Sequence, residues 1–578
     1  MNSFKFKVCL RRALRGSGLR FQVGCLLILF AFNSVDGFAG KDLRERVYLQ
    51  TDKHLYLAGE PILVKLLTTD TEQIPIVFSK IVYVELVGDS IALLQIKVEL
   101  TNGTGTGHIM LPVNLPAGYY RLIAYTQFMK NEGIDVFFKK NIAIVNTFQS
   151  DYHPAETEEH NLPPAGESDD FGTVSLQPDK PVYLTRARGE LLLNGLPENI
   201  HTLSVSIAGK DFLPVAESDI SLLRKNLTKK PADFSGEFLP EYEGPIITGK
   251  IIENETGKSE AGDFFLAPGI AFPGKEIRFF AGRKNEKGDV RFITSGISGT
   301  TEIATVVYDA DDKYRVDIES PFITRYASEQ MPALRIDSAY YGQMLERSVA
   351  LQLFHYFSEE PSENQNVPES FFKLKPNWSY IMDEYTRFTT MREVFIEFVT
   401  GARFRRNAGK WEISVLAKIG DYYNYGVMPL VLLDGTPVSN HDIIFNYDPL
   451  TVEKINIYYG QCLFGGYIFD GIVEIVTYRR QHQNLNLNKS SQVLSYNAPQ
   501  LPYRLNTPDY SDDKNARDRK PDSRHTLLWN PDVEPDGKTA ILVPFDTSDL
   551  TGEFQATVEG ITKDGKIIFA TSVFNVER

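Results

Sequence analysis

The stretch V-Y-L-Q-T-D-K-H-L-Y-L at residues 47–57 recurs as V-S-L-Q-P-D-K-P-V-Y-L at residues 174–184, and seven of the eleven positions are identical. Each copy alternates apolar and polar residues as a β-strand does, turns at the Asp-Lys pair, and enters a second strand at Tyr56 or Tyr183. A repeated supersecondary unit signals repeated modules. The sequence therefore predicts two β-sandwich modules of one kind in tandem.

The residues that follow the first copy are typical of a sandwich. Short apolar segments recur between Gly and Pro breaks, and we expect strands at 62–68, 81–87, 92–100, 108–111, 119–125 and 135–145. We assign residues 41–147 to the first module, 148–170 to an acidic, Pro-containing linker, and 171–244 to the second module.

Two motifs of the first module, T-D-K-H-L-Y-L-A-G-E (51–60) and L-P-A-G-Y-Y-R-L-I-A-Y-T (115–126), resemble the macroglobulin-type sandwich domains of large Bacteroidetes envelope proteins. The block at 524–578 resembles a further sandwich of this type. Residues 245–322, which carry I-I-T-G-K-I-I-E-N-E-T-G-K, resemble the transthyretin-like sandwich known as a carboxypeptidase regulatory-like domain. These resemblances imply a mainly β fold of tandem immunoglobulin/macroglobulin-like and transthyretin-like β-sandwiches.

Residues 323–378 are expected to form a partly helical connector. Five apolar residues recur near helical period and would give one apolar face that packs between domains: Tyr341, Leu345, Val349, Leu353 and Phe357. Further on, Thr390 and Glu393 form a T-x-x-E capping box, which predicts the start of a second helix.

Residues 379–480 resemble the α+β plug domain of TonB-dependent outer-membrane receptors. The matching motifs, in order, are M-R-E-V-F-I-E-F-V-T-G-A-R-F (391–404), P-L-V-L-L-D-G-T-P-V (429–438), V-E-K-I-N-I-Y-Y-G (452–460) and F-D-G-I-V-E-I-V-T-Y (469–478). A plug normally fills a 22-stranded barrel, and the residues after Tyr478 are too few to form one. We expect them to begin with a polar linker at 481–523.

The first 39 residues read as a signal peptide. Basic residues precede an apolar run at 23–32 that is too short to span a bilayer, and Gly37 and Ala39 offer a cleavage site. No later apolar run is long enough for a transmembrane helix. We therefore expect export to the periplasm or outer-membrane surface of a Gram-negative bacterium, with Cys462 as the sole cysteine of the mature chain.

The composition excludes some functions. The chain has 578 residues, 42% of them hydrophobic, and a formal net charge of −14 at pH 7. Its length allows three to five folded domains. Its acidity repels phosphate backbones, so nucleic acid is not expected as a partner.

The motifs that imitate catalytic or metal sites each lack a part. The H-x-x-E pair His153 and Glu156 lies in the linker without a third zinc ligand. Residues 244–250 imitate a phosphate loop, but Ile251 stands where Ser or Thr is needed. Asp309, Asp311 and Asp312 offer too few oxygens for calcium. Residues 295–299 miss the G-x-S-x-G spacing by one position. Cys462 has no Glu-Gln after it, as a macroglobulin thioester requires. We expect no catalytic residue, metal site or cofactor.

Three tyrosines, Tyr422, Tyr423 and Tyr425, cluster in a stretch that we expect to be a loop, where they serve either partner contact or inter-domain packing. The predicted function is a non-enzymatic binding or scaffold protein of the cell envelope that acts with an outer-membrane protein. Two alternatives stay open: an accessory of TonB-linked nutrient uptake that binds a ligand or receptor, and an enzyme or protease inhibitor.

Overall fold

The fold begins with an eight-stranded sandwich, sandwich 1, formed by β1 Arg46–Thr51, β2 Leu55–Leu57, β3 Pro61–Thr69, β4 Ile81–Gly88, β5 Ile91–Glu99, β6 Thr104–Met110, β7 Gly118–Tyr125 and β8 Phe138–Val145. One sheet has the order β1-β3-β6 and the other β2-β8-β7-β4-β5. The core between them is apolar, with Leu49, Tyr56 and Val64 fully buried. The alternation around the D-K corner therefore places one side of each strand in this core.

The structure is a computed structural model. It describes residues 44–148, 174–211, 233–259, 267–273, 278–285, 287–308, 313–326, 331, 333–334, 336–357, 375–419, 422–425, 429–464, 467–479, 490–503, 505–535 and 537–578. The predicted signal peptide and most of the linker at 148–170 lie outside these ranges. Within them, no helix is long and apolar enough to cross a membrane.

The second copy of the repeat opens a half-sandwich. Its strands are β9 Ser175–Pro178, β10 Val182–Leu184, β11 Arg188–Asn194 and β12 Ile200–Gly209. After Gly209 the chain leaves this sandwich.

A third module follows, with β13 Ile246–Glu253, β14 Ala267–Ala271, β15 Phe279–Lys284, β16 Asp289–Ile293, β17 Thr300–Tyr308 and β18 Tyr314–Ile318. These strands pair in the order β18-β13-β16-β15-β14-β17. Short hairpins with positive-φ turn residues such as Gly288 connect neighbouring strands, as the Gly positions of the sequence predict.

Helix α1, Tyr341–Phe357, differs from the expectation. The face marked by Leu345, Val349 and Leu353 is exposed, at 66%, 48% and 37%, whereas Met344 and Arg347 on the opposite side are buried against sandwich 1. The predicted inward face is therefore wrong. Both sides of the helix carry apolar residues, and the side that faces sandwich 1 is the one from which Arg347 forms its ion pairs.

The α+β module contains β19 Trp378–Ile381, α2 Met391–Glu397, β20 Ala402–Asn407, β21 Lys410–Ile419, β22 Tyr422–Tyr425, β23 Leu430–Leu433, β24 Thr436–Pro437, α3 Asp442–Phe445, β25 Val452–Tyr458, β26 Cys462–Phe464, β27 Tyr467–Phe469 and β28 Ile472–Thr477. Its main sheet has the order β19-β25-β28-β23-β24; one face covers the module's own apolar core, and the other packs against β14, β15 and β17 of the third module. The predicted capping box is confirmed, because Thr390 Oγ1 accepts the N–H of Glu393 and the Glu393 carboxylate accepts the N–H of Thr390.

The remaining elements are β29 Ser491–Asn497, α4 Asp513–Ala516, β30 Thr526–Asn530, β31 Ala540–Asp546, β32 Gly552–Thr562 and β33 Ile567–Glu577. β29 pairs with β17 along its whole length and becomes the seventh strand of the third module's sheet. The segment expected to be a polar linker at 481–523 therefore contains a core strand. Four of its seven residues are polar, Ser491, Gln492, Ser495 and Asn497, so the sequence does not mark it as an apolar strand.

The last four strands complete the half-sandwich, giving sandwich 2 with the sheets β9-β11-β31 and β10-β33-β32-β12-β30. This order is that of sandwich 1, strand for strand. Residues 210–525 are thus inserted between the fourth and fifth strands of a second copy. The separate modules expected at 171–244 and 524–578 are one module, because Tyr183 and Leu191 are buried against Phe545, Phe554 and Phe574.

Taken together, the sheets confirm the predicted mainly β fold.

Candidate functional site

The D-K corner has the same hydrogen-bond geometry in both sandwiches. In sandwich 1, Oδ1 of Asp52 accepts the Tyr56 hydroxyl at 2.8 Å and the N–H of Leu63 at 3.1 Å. In sandwich 2, Oδ1 of Asp179 accepts the Tyr183 hydroxyl at 2.6 Å and the N–H of Glu190 at 2.8 Å, and Glu190, like Leu63, lies eleven positions after the aspartate. The repeated residues therefore fix the turn between the first two strands and tie it to the third.

The surroundings of the two corners differ. In sandwich 1 the side chains of Asp52 and Lys53 are 1% and 6% exposed, whereas those of Asp179 and Lys180 in sandwich 2 are 36% and 60% exposed. The first corner is therefore enclosed by other parts of the chain.

Arg347 of helix α1 reaches the first corner and pairs with two carboxylates. Its Nε and Nη2 lie 3.1 and 2.9 Å from the two oxygens of Glu60, and its Nη1 lies 3.3 Å from Oδ1 of Asp211. Lys53 Nζ lies 3.3 Å from Glu60 Oε2 and 3.2 Å from Oδ2 of Asp52. We call these five residues, with Thr526 and His525, the charged hub.

The hub lies where the insertion leaves and re-enters sandwich 2. Asp211 follows the end of β12, and Thr526, at the start of β30, donates to Oδ2 of Asp52 at 2.9 Å. The N–H of Gly209 donates to the carbonyl of His525 at 3.0 Å. A Cβ on Gly209 would lie 2.5 Å from the His525 ring, so only glycine fits. Both ends of the insertion are thereby fixed against sandwich 1.

The hub groups have shifted pKa values with identifiable causes. Burial opposes the ionised form of Glu60, but Arg347 and Lys53 hold the pKa of this carboxyl well below its usual range. Burial raises the pKa of Asp211, against the effect of Arg347. Burial and the Arg347 charge lower the pKa of His525 well below its usual value, so this imidazole is neutral. The hub therefore joins modules through paired charges rather than presenting a free acid or base.

The two corners offer a matched pair of substitutions. We expect Tyr56→Phe to lower the free energy of unfolding by about 1–3 kcal/mol, because it removes a buried donor from Asp52. Tyr183→Phe should cost less, since water can replace the hydroxyl at the more exposed Asp179. Urea unfolding of the two variants measures the difference, and equal losses would contradict the burial of the first corner.

A second interface joins sandwich 1 to the inserted third module through aromatic and charged residues. Lys130 Nζ lies 5.9, 5.5 and 5.5 Å from the ring centroids of Tyr83, Tyr125 and Phe238. Lys97 Nζ lies 3.9 Å from the centroid of Tyr496 on β29. Cations over aromatic faces are stabilised most where water is excluded, so these lysines contribute to holding the third module in place.

Two glutamates balance these cations. The Glu85 carboxylate accepts the hydroxyl of Tyr125 at 2.6 Å and also that of Tyr326. Glu241 Oε1 accepts the Tyr83 hydroxyl at 3.0 Å and the N–H of Ile246 at 2.7 Å. Glu241 Oε2 is buried and has no hydrogen-bond partner among the described residues.

Burial is the main cause of the pKa shifts in this cluster. It raises the pKa of Glu241 to about 7, which Tyr83 and the nearby lysines only partly oppose. It also lowers the pKa of Lys97 and of Lys130 to about 8. The cluster therefore titrates near neutral pH.

Glu241→Gln should change the pH dependence of stability. The folded-state pKa of Glu241 lies above the ordinary value of 4.5, so the folded chain binds more protons than the unfolded chain between these values and loses stability as the pH rises through this window. The free energy of unfolding of the variant should fall less over this range. Relative to the parent, the variant should become more stable by up to about 3 kcal/mol between pH 5 and 7.5. Urea titrations at several pH values test this, with the exposed Glu319→Gln as control. A constant difference would contradict it.

The two sandwiches also contact each other directly, across a cleft with about 420 Å³ of empty space that includes open solvent. The Tyr48 hydroxyl donates to Glu559 at 2.7 Å, and Ser204 Oγ lies 2.6 Å from Oε1 of Gln50. Burial lowers the pKa of Lys65, which lines the cleft, to about 8. The three-stranded sheet of sandwich 1 thus packs on the five-stranded sheet of sandwich 2.

The structure places the tyrosines Tyr422, Tyr423 and Tyr425 in a strand, not a loop. Their strand, β22, pairs antiparallel with β21, and it is the last strand of the sheet β20-β21-β22. The backbone pairing with β21 holds this stretch in an extended conformation. Whether these residues contact a partner stays a prediction.

The other candidate residues are not brought together. Residues 246–250, from the imitation phosphate loop, lie in β13, which is paired on both sides. Cys462 is a free, half-buried thiol whose pKa burial raises. His153, Glu156, Asp309, Asp311 and Asp312 lie outside the described residues. In the part of the chain that is described, no three His, Cys, Asp or Glu side chains are placed to hold a metal ion.

Sequence reasoning did not find the hub residues Glu60, Asp211, Arg347 and His525. Glu60 belongs to the A-G-E motif and Arg347 to the predicted apolar helix. Their opposite charges are the one feature of the sequence that could suggest an ion pair between them. Nothing in local periodicity links positions this far apart.

The comparisons with known proteins do not assign a family. No protein-family model matches the chain, and no curated protein matches its sequence. Among solved structures, Salmonella alpha-2-macroglobulin reacted with methylamine is 10% identical with a TM-score of 0.23, over 92% of this chain and 39% of that chain. The native conformation of Escherichia coli alpha-2-macroglobulin is 8% identical with a TM-score of 0.23, over 92% and 40%.

A third structure, the Escherichia coli adhesin FdeC, is 10% identical with a TM-score of 0.14, over 46% of this chain and 60% of that chain. The chain spans about two fifths of the length of the two macroglobulins. At these TM-scores the likeness carries no argument about function.

Proposed function

We propose that this chain is an exported, non-enzymatic binding or scaffold protein of a Gram-negative cell envelope. The observation that carries the proposal is the charged hub, which fixes both ends of a large insertion against sandwich 1. Its charged groups lie within about 3.3 Å of their partners. Because these buried charges are paired with one another, we assign them to fixing the geometry of the frame rather than to acid–base chemistry. Modules held in fixed positions by such ion pairs suit a protein that binds partners through its surfaces.

The surface that we propose for partner contact is the strand β22, with Tyr422, Tyr423 and Tyr425. An end strand has one row of backbone N–H and C=O groups available to a partner strand. Tyrosine is enriched at recognition surfaces because its ring gives contact area and its hydroxyl a hydrogen bond. The proposed partner is an outer-membrane protein, which the chain would contact either in the periplasm or at the outer-membrane surface.

A photo-crosslinking amino acid at position 423 tests this in intact cells, followed by pull-down of the mature chain. The same probe at Lys566, an exposed position in a turn of sandwich 2, is the matched control. Recovery of an outer-membrane protein from position 423 and not from 566 is expected. Recovery of nothing, or of copies of this chain alone, would contradict the proposed function.

A further inference from the structure

Helix α1 covers one edge of sandwich 1. Leu55 and Leu57, which point outward from β2, are each 1% exposed because they pack against Ile336 and Met344. The neighbouring strand β8 adds Val145 to the same buried patch. In sandwich 1 the β2-β8 edge is therefore apolar and is covered by a helix.

Sandwich 2 has the corresponding edge, which is exposed and more polar, because Asn575 and Glu577 occupy the positions of Ala143 and Val145. Val182 and Leu184 of β10 occupy the positions of Leu55 and Leu57, and they are 40% and 62% exposed. Val573 on β33, which pairs in parallel with β10, is 43% exposed. We call these three residues the β10 patch.

The exposed face of helix α1 is the complementary surface in the chain. Leu345, Val349 and Leu353 follow one another at four-residue spacing and are joined by Tyr356, which is 81% exposed. Exposed apolar residues that lie next to one another often mark an interaction site. The opposite side of the same helix is occupied by sandwich 1, so the stripe cannot reach the β10 patch of its own chain without breaking the hub.

Charge favours the same pairing. Lys180 lies beside the β10 patch at the position of Lys53, but Ala187 takes the place of Glu60, so among the described residues Lys180 pairs with Asp179 alone, at 3.9 Å. Glu346 on α1 borders the stripe and is exposed. A helix docked on the patch can therefore supply the carboxylate that Lys180 lacks.

We propose that the protein self-associates head to tail, with the α1 stripe of one copy covering the β10 patch of a second copy. The helix would then lie between two equivalent sandwich edges, one from each chain. Because two different surfaces meet, a pair of copies keeps one free patch and one free stripe, and the association continues into a ring or an open chain. This inference is independent of the proposed envelope partner.

Sedimentation velocity of the mature chain tests the proposal. The average mass should rise over about a hundredfold range of concentration. Leu345→Glu, in the stripe, and Leu184→Glu, in the patch, should each give monomers. Leu463→Glu, on an exposed hairpin elsewhere, is the control and should assemble like the parent.

A mixture of the two variants distinguishes head-to-tail association from pairing of two helices. Each variant retains the surface that the other has lost, so an equal mixture should form a dimer that grows no further. Circular dichroism checks that both variants are folded, and Val349→Glu and Val182→Glu are their replacements if one is not. A monomeric parent at every concentration, a Leu184→Glu variant that assembles normally, or a mixture that stays monomeric would each overturn the proposal.

Discussion

Arg347→Leu should destabilise the protein by about 3–5 kcal/mol at neutral pH, because it leaves buried Asp211 without its ion pair and buried Glu60 with Lys53 as its remaining cation. Glu60 is 4% exposed, and the guanidinium supplies two of its hydrogen bonds; Asp211 loses its ion pair. The loss is larger than the pair itself contributes, since the desolvated charges that remain have no water to replace it. Urea unfolding measures the change.

The pH dependence of this loss has a definite sign. Arg347 and Lys53 keep the pKa of Glu60 below its value in the unfolded chain. The contribution of ionised Glu60 to the free energy of unfolding is therefore full above about pH 4.5 and declines as the pH falls below it. The difference between the parent and Arg347→Leu should therefore shrink in acid. Arg188→Leu is the control: its pair with Asp509 is exposed, at 2.7 Å, so losing it should have little effect on stability. Similar losses in the two variants would contradict a buried hub.

Phe574→Ala should cost about 3–5 kcal/mol and should act on strands far from it in sequence. Phe574 is 2% exposed, and its ring centroid lies 5.1 Å from that of Tyr183 and 5.2 Å from that of Phe545. Amide hydrogen exchange should accelerate in β11 and β12 because these strands share its core, and much less in sandwich 1.

The neighbouring Val573→Ala provides the control for this substitution. Val573 is on the same strand but is 43% exposed, so its truncation should cost less than about 1 kcal/mol. If Phe574→Ala left the exchange of residues 175–209 unchanged, the two segments would belong to separate modules.

The features that depend on neighbouring residues could be predicted from the sequence. The D-K corner, the hairpins of the third module and the capping box at Thr390 each follow from a few adjacent positions. The mainly β class follows from the alternation around them. These are local preferences, and tertiary contacts reinforce them.

The pairing of distant segments could not be predicted in this way. Sandwich 2 uses strands separated by residues 210–525, and periodicity shows that a segment is a strand without showing which strand it pairs with. The inward face of α1 was misassigned for a related reason: Arg347 looks like a surface residue until Glu60 and Asp211 are beside it. Charged residues are rarely buried, so their sequence signal points outward.

The central claim is that residues 175–209 and 526–577 form one sandwich interrupted by an insertion. The most direct test joins residues 174–209 to 526–578 through a short Gly-Ser linker, which can span the gap because Gly209 and His525 are in hydrogen-bond contact. The account predicts a folded β protein with a single cooperative urea transition. A chain that stays unfolded, while residues 171–244 or 524–578 fold alone, would contradict it.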